Sequence, residues 1–407
     1  MHWHEIKMTT LECVFCDQRR PFEVYNPFCP ACGAPMLVYS SHAKRGARPS
    51  APTAAERFAD FLPLKKYDPA LSLGVGGTPL LFLDRIVEQF GLPEIYAKNE
   101  MANPTASFKD RGTVVAIQKA IELGLKKIGT ISTGNMAGST AAYAAKTGLR
   151  CLVFVKEDTP QDKIVAAAVY GATIIKVKGD YGGLFRKSFE IGRRLGIAFM
   201  NSADPFRIEG YKVTSYEIFE QLGAAAFRAK APVMVFVPVS AAGHLIGLIR
   251  GFRDLHDLGW IPRLPMIVGV QASGCAPIAR AFRRGSDRVE RFPNPHTIAH
   301  AISNPTPPGG NLALRLLREA GGLMMDVGET EIRRAHTLMA SREGLFCDPA
   351  SITPLAAILK LQRRKRLPAQ ARAVLIVTGS GLKSLEAVDV ARLDIRSAPL
   401  EKLDAAL

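Results

Sequence analysis

The sequence predicts an α/β protein: two three-layer αβα domains on mainly parallel sheets, preceded by a small cysteine-rich segment. Three observations carry this. From about residue 75 onward, short apolar stretches alternate with amphipathic helical ones, and repeated β-α units imply a parallel sheet covered on both faces. The chain has 407 residues, and roughly 330 residues of that pattern are more than one sheet usually takes. Four of the seven cysteines fall within the first 40 residues. A hydrophobic content of 47% with 22% charged residues is ordinary for a globular protein and excludes a mostly disordered chain.

The elements follow in chain order. Cys13-x2-Cys16 and Cys29-x2-Cys32 are two tight thiolate pairs twelve residues apart. Each pair can aim two sulfurs at one ion, and together they complete a closed tetrahedral site of the zinc-ribbon kind. A closed site leaves no open position, so the expected zinc is structural. Cys151, Cys275 and Cys347 stand alone in apolar contexts and read as packing. Residues 1–40 form the ribbon-like segment, and 41–72 a linker and lead-in rich in Ala, Pro and Arg. Strands are expected over 95–98, 128–132, 151–155, 173–177, 233–239, 266–271 and 373–378. Helices are expected over 110–123, 136–147, 161–170, 184–195, 208–222 and 245–258. Residues 73–100 and 205–400 would form the larger α/β domain, and 101–204 the smaller.

The formal net charge of +16 invites a nucleic-acid reading. The basic residues are spread along the chain, however, and the one dense run, Arg363-Arg364-Lys365-Arg366, ends a predicted helix, where cations suit the dipole. No nucleic-acid partner is expected. The first residues are polar, without the apolar run of a secretory signal. Residues 231–249 carry no formal charge but hold Pro238, Gly243 and His244 at their middle. They read as strand, turn and helix rather than a membrane span. A cytoplasmic protein with no membrane partner follows.

In such folds ligands sit where strand ends meet helix N-termini. Several unusual loops fall there. Ser107-Phe108-Lys109-Asp110-Arg111-Gly112 places a lysine at a helix start, where the dipole opposes its charge and favours a lowered pKa. Such an amine suits Schiff-base chemistry; a solvated lysine is the ordinary alternative. Ser132-Thr133-Gly134-Asn135 offers backbone N–H groups and an amide, and is otherwise a plain helix cap. Ser240-Ala241-Ala242-Gly243-His244 follows a strand and lets a phosphate approach the backbone. Glu343-Gly344-Leu345-Phe346-Cys347-Asp348-Pro349-Ala350-Ser351 and Thr378-Gly379-Ser380-Gly381-Leu382-Lys383 complete the set. HExxH, GxSxG and Walker signatures are absent.

Taken in order, with Gly76-Gly77-Thr78-Pro79-Leu80, these loops resemble the fold-type II pyridoxal-phosphate enzymes, whose fold is tryptophan synthase β-like, and among them the threonine synthases. The resemblance spans roughly residues 73–385. Some members also carry an N-terminal cysteine-rich ribbon. It implies that Lys109, preceded by Phe108, carries the cofactor covalently, and that Asn135 meets its ring hydroxyl. Residues Ser240, Ala241, Ala242, Gly243 and His244 would cradle its phosphate through backbone N–H groups, and Thr378 would face its ring nitrogen. Asn201, Ser202 and Arg207 match the positions that grip a substrate phosphate, a role that suits a guanidinium fork. The implied reaction converts O-phospho-L-homoserine and water to L-threonine and phosphate. The implied partner is thus a small phosphorylated amino acid, and family precedent suggests a homodimer.

Three positions depart from the family pattern. The phosphate loop is usually Gly-Asn-Ala-Gly-Asn, and here ends in His244. Met136 stands where a threonine usually helps hold the substrate phosphate, and Tyr211-Lys212-Val213 replaces Gln-Lys-Thr. They leave open a threonine or serine dehydratase, or a replacement enzyme acting on a phosphoserine-type substrate. A catalytically silent relative used for sensing is disfavoured by the intact Lys109. The net charge then reads as a field that gathers phosphorylated small molecules.

Overall fold

A computed structural model describes residues 9–24, 26–39, 51–179, 181–388 and 393–395. The N-terminal segment is a three-stranded antiparallel sheet of β1 (Thr10–Glu12), β2 (Arg19–Pro21) and β3 (Leu37–Val38), in the order β2-β1-β3. Leu11, Met36, Leu37 and Val38 are its buried apolar residues. Such a small sheet has little core of its own, and it leans on the rest of the chain. Phe22 packs edge-on to Phe206 at 4.6 Å between ring centroids. Arg250 donates to the Val38 carbonyl at 2.7 Å and also pairs with Glu209.

Of the expected linker, 41–50 lies outside the described residues. Thr53 and Glu56 cap a short helix, Ala54–Arg57, reciprocally. Phe58 and Phe61 then pack on Tyr216 and Trp260, so this stretch belongs to the core rather than hanging free.

The chain continues through β4 (Leu80–Phe82), β5 (Glu94–Asn99), β6 (Lys127–Ile131), β7 (Arg150–Lys156), β8 (Thr173–Val177), β9 (Ala198–Phe199), β10 (Val233–Pro238), β11 (Met266–Ala272), β12 (Leu323–Val327) and β13 (Arg372–Val377). These build two sheets, ordered β12-β11-β10-β13-β5-β4 and β8-β7-β6-β9. All pairings within them are parallel except β4 with β5. Helices flank the sheets, as parallel pairing requires. The central strands β10 and β13 are apolar runs with almost every residue buried, the pattern of strands covered on both faces.

Each of the seven expected strands is present. The sequence reading missed β4, β9 and β12. Only two residues make β9, and β12 is a half-buried edge with Asp326 in it. The helix expected over 208–222 is two helices, Pro205–Tyr211 and Val213–Leu222, meeting at Lys212. Lys212 is fully buried and pairs with Glu209 at 2.8 Å and Asp254 at 2.7 Å, a junction that apolar periodicity does not reveal. Among the described residues no helix is long and apolar enough to cross a membrane.

Candidate active site

Three loops distant in sequence are stitched together at the C-terminal ends of the strands. Phe108 N–H donates to the Thr378 carbonyl at 3.0 Å, Ser380 N–H to Ala106 at 3.2 Å, and Asp348 N–H to Gly379 at 3.0 Å. The SFKDRG, CDPAS and TGSGLK motifs therefore form one wall. Ala106 sits there at φ 52° and Ala242, across the site, at φ 74°. Left-handed backbone at a residue with a side chain is strain that surrounding structure must hold, and it clusters at functional sites.

Lys109 begins the helix Lys109–Glu122. That helix packs closely on Pro205–Tyr211, because glycines meet at the crossing. A Cβ on Gly210 would lie 2.1 Å from the Arg111 carbonyl oxygen, and one on Gly112 would lie 2.7 Å from the Tyr211 ring. The close approach brings Arg207 near Lys109. Burial, reinforced by the Arg207 cation, brings the Lys109 amine down to about 7. Its Nζ lies 4.2 Å from the centre of the Phe108 ring and makes no hydrogen bond among the described residues.

The rear of the same helix is fixed by a buried ionic network. Arg111 contacts Glu100 at 2.5 Å and Glu217 at 2.7 Å, and Lys98 contacts Glu217 at 2.6 Å. Two cations face two carboxylates with all four buried. The arrangement locks β5, the lysine helix and Val213–Leu222 to one another, because removing one partner would strand a buried charge.

Contacts bring the expected cofactor residues near one another: Phe108 meets Thr378 and His244, and Asn135 lies beside Gly379. The helix Gly243–Asp257 starts at the 240–244 loop, and no side chain caps it. Its first N–H groups are thus available to an anion. His244 stacks on Phe108 at 4.3 Å with an interplanar angle of 8°. Burial holds its ring at about 3, so it is neutral; Nε2 lies 3.4 Å from Thr214 Oγ1, and Nδ1 is buried without a partner. Thr378 Oγ1 lies 2.8 Å from Ser351 Oγ, which also accepts from Gly379 N–H at 2.8 Å. A Cβ on Gly379 would sit 2.6 Å from Asp348 Oδ2 and 3.0 Å from Asn135 Nδ2, so a side chain there would displace both groups. The unbonded amine, the uncapped helix start and the unpartnered imidazole nitrogen together fit an aldehyde-bearing, phosphorylated cofactor.

The expected phosphate-gripping residues stand in another arrangement. Asn201 accepts from Ile131 N–H at 2.9 Å, and its Nδ2 is buried without a partner. Ser202 is half-buried beside it. Arg207 is fully buried, donating to the Met200 carbonyl at 2.9 Å, Thr113 at 2.8 Å and Thr140 at 2.5 Å. It forms no salt bridge among the described residues. Its guanidinium hydrogen bonds go to neutral oxygens, with the buried Asp204 carboxylate nearby but not in salt-bridge contact. A buried cation without a direct ion pair carries a desolvation cost that an incoming anion offsets.

At the N-terminal segment, the Sγ atoms of Cys13, Cys16, Cys29 and Cys32 all lie within 4.8 Å of one another. Sulfurs about 2.3 Å from a tetrahedral zinc would stand at such separations, so the four thiols fit the metal. They lie far in sequence from Lys109.

Sequence reasoning missed Ser351, which orients Thr378, and Lys383, whose amine reaches Asn135. Both stand inside motifs that were singled out, so the motifs pointed there while the individual roles needed geometry.

A family model described as pyridoxal-phosphate dependent enzyme matches residues 71–379. A threonine synthase of Methanocaldococcus jannaschii is 38% identical over 332 residues, covering 81% of each chain. The chain belongs to the threonine synthase family. Another threonine synthase, from Halalkalibacterium halodurans, is 35% identical and covers 81% of this chain and 88% of its own. Among solved structures, a threonine deaminase from T.th. matches with a TM-score of 0.63 at 25% identity, covering 79% of this chain and 94% of that one. For a threonine synthase family member, the departures at Met136 and His244 take a defined place. The Met136 carbonyl accepts from Thr140, which in turn holds Arg207. His244 packs against the residue preceding the lysine.

Proposed function

We propose that this chain converts O-phospho-L-homoserine and water to L-threonine and phosphate with pyridoxal phosphate. The observation that carries the reading is the Lys109 amine, brought to about 7 beside a buried Arg207 whose guanidinium donates to neutral oxygens and forms no salt bridge among the described residues. A phosphorylated amino acid satisfies both groups at once.

Lys109 holds the cofactor, with Asn135 and Thr378 at its ring and residues 240–244 at its phosphate. When bound, pyridoxal phosphate supplies an electron sink for carbanions next to the amino group. Lys109 Nζ takes the α proton of the substrate and returns protons later in the cycle. An amine titrating near neutrality can act as base and acid in turn. Arg207, Asn201 and Ser202 hold the substrate phosphate, with the Asn201 amino group free to donate, and so orient the γ carbon for loss of phosphate. Thr378, fixed by Ser351, offers the ring nitrogen a hydroxyl, which does not hold that nitrogen protonated as a carboxylate would.

The four cysteines hold one structural zinc in this reading. The ribbon then braces the Pro205–Tyr211 helix through Phe22 and Phe206. We also expect a cytoplasmic homodimer, with boundaries between the two α/β domains near residues 100 and 205.

The test is a substrate panel with separate detection of phosphate and amino-acid product. Threonine from O-phosphohomoserine supports the proposal. Turnover of O-phosphoserine, serine or threonine with O-phosphohomoserine inert would make Met136 the mark of another specificity.

A further inference from the structure

The last motif ends in a lysine that none of these roles uses. Lys383 closes the turn Gly381–Lys383 after β13. Its amine donates to Asn135 Oδ1 at 3.0 Å and to the Thr105 carbonyl. Asn135 opens the helix after β6, and Thr105 precedes Lys109. One side chain rooted beyond the six-stranded sheet thus reaches the first residue of a helix belonging to the four-stranded sheet. Asp110 and Asp348 are its carboxylate neighbours, yet Lys383 forms no salt bridge with either among the described residues. Its hydrogen bonds go to neutral oxygens.

An ammonium group is donor-only, whereas a primary amide has an acceptor end and a donor end. Whichever end a lysine takes must be the oxygen. The amino end is then left for whatever else Asn135 meets. Asn135 Nδ2 would lie 3.0 Å from a Cβ on Gly379, so it faces the end of β13 beside Thr378. It donates to no group among the described residues. An amino group without an acceptor, held next to the hydroxyl that Ser351 orients, is a donor prepared for a ligand oxygen.

We propose that Lys383 is a positioning residue that pins the Asn135 amide with its amino group toward the ring oxygen of pyridoxal phosphate. The proposal rests on the reading of Asn135 as a cofactor ligand. A methionine at 383 keeps much of the side chain's bulk and removes the donor, so the amide is free to turn its oxygen to the site, where it would repel an oxygen instead of binding it.

The experiment titrates cofactor-free protein with pyridoxal phosphate and follows the visible absorption band. Wild type, K383M, N135A and the double variant are compared for dissociation constant and band maximum, with thermal melting of each to confirm folding. K383M is expected to raise the dissociation constant about three- to tenfold, the effect of one net hydrogen bond. It is also expected to move the band in the same direction as N135A. The double variant should match N135A alone, because without the amide there is nothing to pin. Wild-type behaviour of K383M alongside a weakened N135A overturns the proposal while leaving Asn135 a ligand. So does a double variant weaker than N135A by the full K383M factor, which would make Lys383 an independent tether. Wild-type binding by N135A overturns both readings together.

Discussion

At pH 7.5 an amine with a pKa of about 7 is about three-quarters neutral, whereas an ordinary lysine is neutral in about one molecule in a thousand. Only the neutral amine attacks an electrophile, so Lys109 should outpace an ordinary lysine near neutrality, by less than its gain in neutral fraction because a less basic amine is also a weaker nucleophile. The shape of the pH dependence is more telling than the rate. Between pH 6 and 8 the neutral fraction of Lys109 rises about tenfold and levels off, while that of an ordinary lysine rises about a hundredfold and keeps rising. The assay labels cofactor-free protein with dinitrofluorobenzene, an uncharged reagent, and quantifies the peptide bearing Lys109 by mass spectrometry. Burial is the larger cause of the shift and Arg207 the smaller. R207M should therefore move the midpoint upward without restoring an ordinary value. A labelling rate still climbing tenfold per pH unit above pH 8 would refute the reasoning, because the cleft would then not disfavour the ammonium form.

The same shift has a consequence for stability. The folded value of Lys109 lies below its unfolded value, so between about pH 7 and the ordinary lysine range the unfolded chain binds the extra proton. Stability of the cofactor-free protein should rise across that window, and K109M, seen by calorimetry, should melt higher than wild type and lose that dependence. E217Q leaves Lys98 and Arg111 with too little negative charge in a buried network and should lower stability by about 3–5 kcal/mol in denaturant titrations. G379A should fold but lose most cofactor binding in spectroscopic titration, since its Cβ would intrude on Asn135 and Asp348. Metal analysis should find one zinc per chain, and chelation or C29S should lower the melting temperature by several degrees through loss of the ribbon; zinc-free protein that melts unchanged would contradict the metal assignment.

Much of this architecture was legible because parallel strands covered on both faces are apolar without interruption. The runs that became β7, β10 and β13 have no other reading between amphipathic helices. Elements that rest on context were not legible. A two-residue strand such as β9 is stabilised by its neighbour β6 rather than by its own composition. Lys212 joins one helix to the next where its buried amine meets Glu209, three residues earlier, and Asp254, from a helix distant in sequence. Motif order singled out Lys109 and the loops that the fold brings together, since an unusual residue at a helix start leaves a local mark. The neutral hydrogen-bond partners of Arg207, the hold of Ser351 on Thr378 and the reach of Lys383 to Asn135 depend on which distant residues come together. No spacing rule encodes them. The basic charge that first suggested polyanions leaves a smaller residue of meaning, in one buried guanidinium beside the reactive amine.

The central claim is that phosphate leaves carbon and water replaces it one carbon away. Turnover of O-phosphohomoserine in oxygen-18 water tests it most directly. Label is expected in the threonine hydroxyl and none in the released phosphate, with equal amounts of the two products. Label in the phosphate, with homoserine as the amino-acid product, would mean simple hydrolysis of the ester and would contradict it.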